Sequence, residues 1–210
     1  MIVAVNSPEI QDFIRRHSQL FWYTPEEKKQ DIDLEFLVET ILNYGTMDDV
    51  RELIRILGHQ EAARIFFSAE GRKKLNYFPE IYHYFSLYFS RSVQRDINTP
   101  YEIEVKCSFD GLSMIPELLD LAAMKAYALG RRSKWKDYVD LYFILKDHFS
   151  IDQITHQAND LFDQLFVEKL FHAQLSYFND INYSEPVEFI GREIPPEEIR
   201  EFLIDRALDI

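Results

Sequence analysis

Apolar residues recur along most of this chain every three or four positions, the spacing that lays one stripe along a helix. Near the start, Ser7-Pro8-Glu9 is a helix opening with proline at the first helical position, followed by Ile10, Phe13 and Ile14. Thr24-Pro25-Glu26-Glu27 repeats the device, and Leu34, Leu37, Val38, Ile41 and Leu42 follow at helical spacing as far as Gly45. Thr46-Met47-Asp48-Asp49 then opens a helix carrying Val50, Leu53, Ile54 and Leu57, which ends at Gly58. A further helix runs through Ile65 and Phe66. After it, Ile81, Phe85, Leu87, Tyr88 and Phe89 predict a helix apolar nearly all round and therefore buried. Trp22 and Phe85 are expected in the core.

The pattern changes beyond a polar stretch at 93–100, which reads as a linker. Tyr101, Ile103, Val105 and Cys107 alternate with Glu102, Glu104, Lys106 and Ser108, the period-two signature of a half-exposed strand. Phe109-Asp110-Gly111-Leu112 turns that strand into a hairpin. Helical spacing resumes and predicts helices over 116–129, 134–148, 151–163, 166–177 and 195–208. In the first of these the buried stripe is Leu118, Leu119, Ala122, Ala126 and Leu129; in the second, Val139, Tyr142, Phe143 and Leu145 face inward. The expected fold is therefore mainly α, with a small helical domain at 1–92, a linker, a short β-hairpin and a helical C-terminal region within 101–210.

Composition adds three constraints. The 210 residues are 47% hydrophobic and 15% aromatic, enough to bury a core and too apolar for a disordered chain. A single cysteine allows no disulfide within the chain and no thiolate zinc site, which fits a reducing cytosol. The opening apolar run is too short for a signal peptide, and no window reaches the ~20 apolar residues of a membrane span, so the expected location is the cytoplasm. The net charge of −13 is uneven: residues 1–95 hold 12 basic and 14 acidic side chains, residues 96–210 hold 11 and 22. Polyanions are thus repelled by most of the second region, and a nucleic-acid contact is confined to the one basic patch, Arg131, Arg132, Lys134 and Lys136.

That patch sits inside the segment with the most chemistry, DLAAMKAYALGRRSKWKDYVDLYFILKDHFS at 120–150. Lys125 borders the buried stripe of one helix. Asp137 and Asp140, three apart, share a face of the next, where Lys136 is spaced to pair with Asp140. If a short turn at Gly130 sets the two helices antiparallel, Lys125 approaches the acidic face. Such a cluster can be a structural ion pair or a phosphate site, and spacing does not decide between them. The six histidines fall in separate segments with no pair at helical i,i+4 spacing, so no metal site is expected from them.

The same segment resembles the C-terminal motif of the AbiEii/AbiGii family of nucleotidyltransferase-like toxins: a Leu-Ala-Ala-x-Lys helix, then arginine, then Lys-Asp-x-x-Asp-Leu-Tyr. The likeness extends through Gln174-Leu175-Ser176-Tyr177-Phe178-Asn179-Asp180 and the acidic last helix, about residues 101–210. It implies that Lys125 and Asp137 are retained nucleotide-binding positions, with Asp140, Arg131 and Lys136 in support. The family also needs a Gly-Ser turn for the triphosphate and an Asp-x-Asp pair for metal ions. None of the six glycines is followed by serine. Asp31-Ile32-Asp33 reads as helix-start charge, Gly45-Thr46 with Asp48 and Asp49 as one helix end meeting the next, and Glu102-Ile103-Glu104 as the solvated face of a strand.

Residues ~1–92 resemble a small helical domain encoded beside such toxins and taken to be antitoxin-related, through Leu20-Phe21-Trp22, Ile41-Leu42-Asn43-Tyr44-Gly45 and Phe85-Ser86-Leu87-Tyr88-Phe89. Together the two resemblances imply a toxin–antitoxin interaction protein connected with abortive infection. Its expected partner is a cognate toxin or antitoxin, with no cofactor, no metal and no transferase activity of its own. The alternative is a reduced nucleotidyltransferase in which Glu102 and Glu104 hold Mg²⁺ and Lys125 and Asp137 hold a nucleoside triphosphate.

Overall fold

A computed structural model describes residues 6–91 and 117–210. The strand and hairpin expected at 101–112, with Glu102 and Glu104, lie outside these residues, as does the linker at 93–100. Among the described residues the chain is helical, and its one extended pairing is a single parallel bridge between Lys134 and Asn182. Two units divide it, Met1–Ser90 and Arg91–Ile210.

The first unit holds α1 (Pro8–Arg16), α2 (Leu34–Tyr44), α3 (Met47–Leu57), α4 (His59–Phe67) and α5 (Pro79–Arg91). Ser7 caps α1 by accepting from the Ile10 amide at 3.3 Å, as its position before Pro8 implies. The second Pro-Glu device does not open an α-helix: Glu26–Asp31 forms a 3-10 turn, and α2 starts only after Asp33, whose side chain accepts from the Phe36 amide at 2.9 Å. Between α2 and α3 the chain turns within two residues. Thr46 and Asp49 make a reciprocal capping box, and a Cβ on Gly45 would lie 2.8 Å from the Ile41 carbonyl oxygen, so a glycine is needed there for clearance.

α2 packs on α3 and α4, and α1 on α3. Phe13, Leu37, Ile41, Val50, Phe66 and Phe85 are fully buried between them. Aromatic rings join α4 to α5, with Phe66 5.1 Å from Tyr82 and 5.4 Å from Phe89. Two expectations need correction. The α5 helix is one-sided, burying Ile81, Tyr84, Phe85 and Phe89 while Leu87 and Tyr88 stay half-exposed. Trp22 is 68% exposed, because the 3-10 turn Ser18–Phe21 directs Phe21 inward and Trp22 stacks on its exposed neighbour Tyr23.

The second unit holds α6 (Leu118–Leu129), α7 (Trp135–Asp147), α8 (Ile151–Phe162), α9 (Glu168–Leu175) and α10 (Pro196–Ala207). The centre is α6, which lies along α8 and also meets α7 and α9. Its face of Ala122, Ala123 and Ala126 is small and buried, which lets the neighbouring backbone approach closely. Leu118, one turn earlier, is 41% exposed, so the buried stripe keeps its expected phase but begins a turn later. On α7, Lys136, Asp140, Phe143 and Asp147 follow the i,i+4,i+7,i+11 line of the outer face, none of them buried, which is why Phe143 is on the surface and Tyr138 and Leu141 are in the core instead. α10 packs on α7 and α9, and the buried His172 ring meets the Ala207 carbonyl at 2.7 Å through Nδ1.

These burials separate two residues that look equivalent in sequence. Phe85→Ala is expected to lose about 3–5 kcal/mol in a urea melt, the cost of a cavity in a packed core. Trp22→Ala should change stability by no more than about 0.5 kcal/mol, as surface substitutions do, and equal losses for both would contradict the assigned core.

Candidate functional site

The α6–α7 turn begins at Gly130, whose helical dihedrals continue α6 for one residue before the amides of Arg131 and Arg132 both donate to the Ala128 carbonyl at 2.9 Å. It returns the chain so that Lys125, in the last turns of α6, reaches the first turns of α7. Lys125 Nζ lies 3.1 Å from Asp137 Oδ1 and 2.6 Å from Asp140 Oδ2. The Asp137 side chain is 1% exposed and that of Asp140 48%, so the ammonium bridges a sealed carboxylate and an open one. Asp137 Oδ2 makes no hydrogen bond, and its nearest cation is Arg132 Nε at 3.4 Å.

Two effects favour this burial of charge. Asp137 stands in the first turn of α7, where the positive end of the helix dipole supports an anion. Burial works to lower the Lys125 pKa, but hydrogen bonds and charge from Asp140, and then from Asp137, outweigh it and hold the ammonium above its ordinary value. Two cations thus face two carboxylates, and the cluster is charge-balanced.

The rest of the basic turn is also engaged. The Arg131 guanidinium lies 4.4 Å from the centre of the Tyr127 ring. Lys134 and Lys136 both pair with Glu185, so Lys136 does not pair with Asp140 as its spacing suggested. Their two hydrogen bonds pull the exposed Glu185 carboxyl down to about 2. The Gln174–Asp180 motif folds onto the same turn. The Gln174 amide donates to Ser133 Oγ at 2.9 Å and to Asp180 at 3.2 Å, while the Tyr138 hydroxyl donates to the Gln174 and Tyr177 carbonyls at 3.2 and 3.3 Å. Burial pushes that phenol up to about 12, so it stays a donor.

Sequence reasoning missed Arg132 and Glu185 in these roles. Arg132 lay in a basic run with nothing to distinguish it, and Glu185 lies 49 positions past Lys136 in an irregular segment that carries no period.

Asp33 caps α2, and Gly45-Thr46 separates α2 from α3. A cleft of about 620 Å³ opens beside Asp31 and Asp33. Among the described residues no group of three His, Cys, Asp or Glu side chains could hold a metal ion. Asp137 and Asp140, the carboxylates nearest the motif, are both taken by Lys125, so the described donors do not fit a divalent cation. No helix among the described residues is long and apolar enough to cross a membrane.

The family model "Nucleotidyl transferase AbiEii toxin, Type IV TA system" matches residues 31–209. The chain belongs to this AbiEii family. No curated protein and no solved structure matches it. The match takes in helices of both units, so family membership reaches well upstream of the 120–150 motif. This AbiEii-family chain still carries no Gly-Ser step at any of its six glycines.

Two shifted groups of this site, Glu185 and Lys125, each contribute to the pH dependence of stability. Glu185 is depressed on folding, so its contribution is present above its ordinary value of 4.5 and is lost as pH falls toward about 2. Lys125 is raised, so its contribution is present below 10.5 and is lost as pH climbs beyond that. In thermal melts, Glu185→Gln should flatten the fall in Tm between pH 4.5 and 2.5 and leave the alkaline limb unchanged; an unaltered acid limb would show that the Glu185 bridge adds nothing.

Proposed function

We propose that this AbiEii-family chain is a toxin–antitoxin-related interaction protein that does not itself transfer nucleotides. The observation that carries the reading is the allocation of Lys125. A phosphate-binding lysine needs donor capacity and net positive surroundings, whereas this ammonium is shared by Asp137 and Asp140 in a cluster whose charges cancel. Lys125 and Asp137, retained by resemblance as nucleotide-binding positions, serve in this reading to tie α6 to α7. Arg131, Lys136 and Asp140 support the turn.

The missing Gly-Ser step points the same way, because a triphosphate needs a flexible turn presenting backbone amides. Partner binding is supported by the aromatic-rich helices of the first unit, where Trp22, Tyr23 and Tyr44 stand exposed, the kind of residue that anchors protein contacts. The partner in this reading is a cognate toxin or antitoxin in the cytoplasm. RNA is disfavoured because Arg132, Lys134 and Lys136 are already ion-paired within the unit.

The test is incubation of the pure chain with labelled nucleoside triphosphates, Mg²⁺ and total tRNA. No label transfer above background is expected. Metal-dependent transfer abolished by Lys125→Ala and by Glu102→Gln would overturn the proposal in favour of a reduced enzyme.

A further inference from the structure

A second feature of the α6–α7 turn faces away from the ion-pair cluster. A cleft of about 320 Å³ opens between the end of α6 and the start of α9, lined by Tyr127, Gly130, Arg131, Leu165, Val167 and Leu170 among others. Three features of its walls agree.

Gly130 forms part of the lining. Its dihedrals, φ −68° and ψ −4°, are open to any residue, so no backbone strain requires a glycine. A Cβ there would meet Leu170 at 3.4 Å, an ordinary contact, and would take up space in the cleft. The glycine therefore keeps room rather than conformation.

One rim is the loop that follows α8. Asp163 adopts φ 46°, ψ −129°, a region essentially reserved for glycine, at a cost on the order of 1–3 kcal/mol. The loop so held turns Phe166 inward, 7% exposed, and leaves Leu165 and Val167 on the surface at 65% and 51%. Two large aliphatic side chains beside an open cleft are costly in water and mark a contact surface.

The opposite rim is Tyr127 with Arg131. Tyr127 is fixed by a parallel stack on Phe162, ring centres 4.2 Å apart, and the Arg131 guanidinium lies 4.4 Å from the centre of its ring. Arg131 makes no ion pair among the described residues, unlike Arg132, Lys134 and Lys136. It is a positioned cation without a carboxylate, in a unit whose charge is otherwise strongly negative.

We propose that this cleft is a docking site for a protein segment that inserts a bulky apolar side chain over Gly130, between Leu165 and Tyr127, and presents an adjacent carboxylate to Arg131. The apolar residue gains burial against Leu165, Val167 and Leu170, and the carboxylate supplies the counter-charge that Arg131 lacks. The site goes beyond the reading of Lys125 above and holds whether or not the chain transfers nucleotides.

The experiment titrates the full chain with the peptide acetyl-Ala-Phe-Leu-Glu-Ala-amide and with its Gln counterpart, following binding by calorimetry or NMR shifts. The Glu peptide should bind about tenfold tighter, the difference expected for a charge-assisted over a neutral hydrogen bond. Arg131→Gln should erase that difference. Leu165→Ser, a change at an exposed position, should weaken both peptides with the melting temperature kept, and Gly130→Ala, whose single Cβ Leu170 accommodates, should weaken both by narrowing the cleft. Equal affinity for the two peptides, no binding of either at millimolar concentration, or binding indifferent to Leu165→Ser would each overturn the proposal.

Discussion

Lys125 is the point on which the arrangement of the second unit turns. Its ammonium is placed in a partly dry setting by the alanine face of α6, where a lone charge would be costly. Asp137, nearly sealed in the first turn of α7, would be costlier still without it. Each charge is tolerable only because the other is present, so the pair fixes the register of α6 against α7. Asp140 and Arg132 complete the balance from the solvent side. The geometry explains why residues spaced like a phosphate site need not act as one: the ammonium is already paired with two carboxylates of its own chain.

The same turn organises what lies around it. Gln174, Tyr138 and Asp180 fasten the loop after α9 to Ser133, and Asn182 pairs its backbone with both sides of Lys134. Glu185 then neutralises Lys134 and Lys136. The basic run read along the chain is therefore spent on internal ion pairs, except for Arg131, which lies against the Tyr127 ring. An AbiEii-family motif can thus carry structure in its lysine, aspartates and following loop together, with the cleft behind Gly130 left as open surface.

The helical elements were legible because caps and periodicity act locally. Ser7 and Thr46 both cap helices through their own side chains, and Pro195-Pro196 opens the last helix. The Lys125–Asp137 approach was legible too, since a short turn leaves two antiparallel helices little freedom. Trp22 and Phe143 were misplaced because burial is decided by neighbours that periodicity does not name: a 3-10 turn rotates Trp22 outward, and α7 is buried on so many sides that its narrow outer stripe had to include Phe143. Glu185 and the cleft were not legible at all, since each depends on an irregular segment folding back over a long separation in sequence, and Arg132, only five residues from Asp137, was one of several equivalent cations in the basic run.

The central claim is that Lys125 and Asp137 stabilise the unit through each other. The most direct measurement is a double-mutant cycle in urea with Lys125→Met, Asp137→Asn and the pair. Lys125→Met alone should cost about 3 kcal/mol, because it strands a buried carboxylate. The double variant should recover a large part of that loss, giving a coupling of roughly 1–3 kcal/mol. Strictly additive losses, with no coupling between the two positions, would contradict the account.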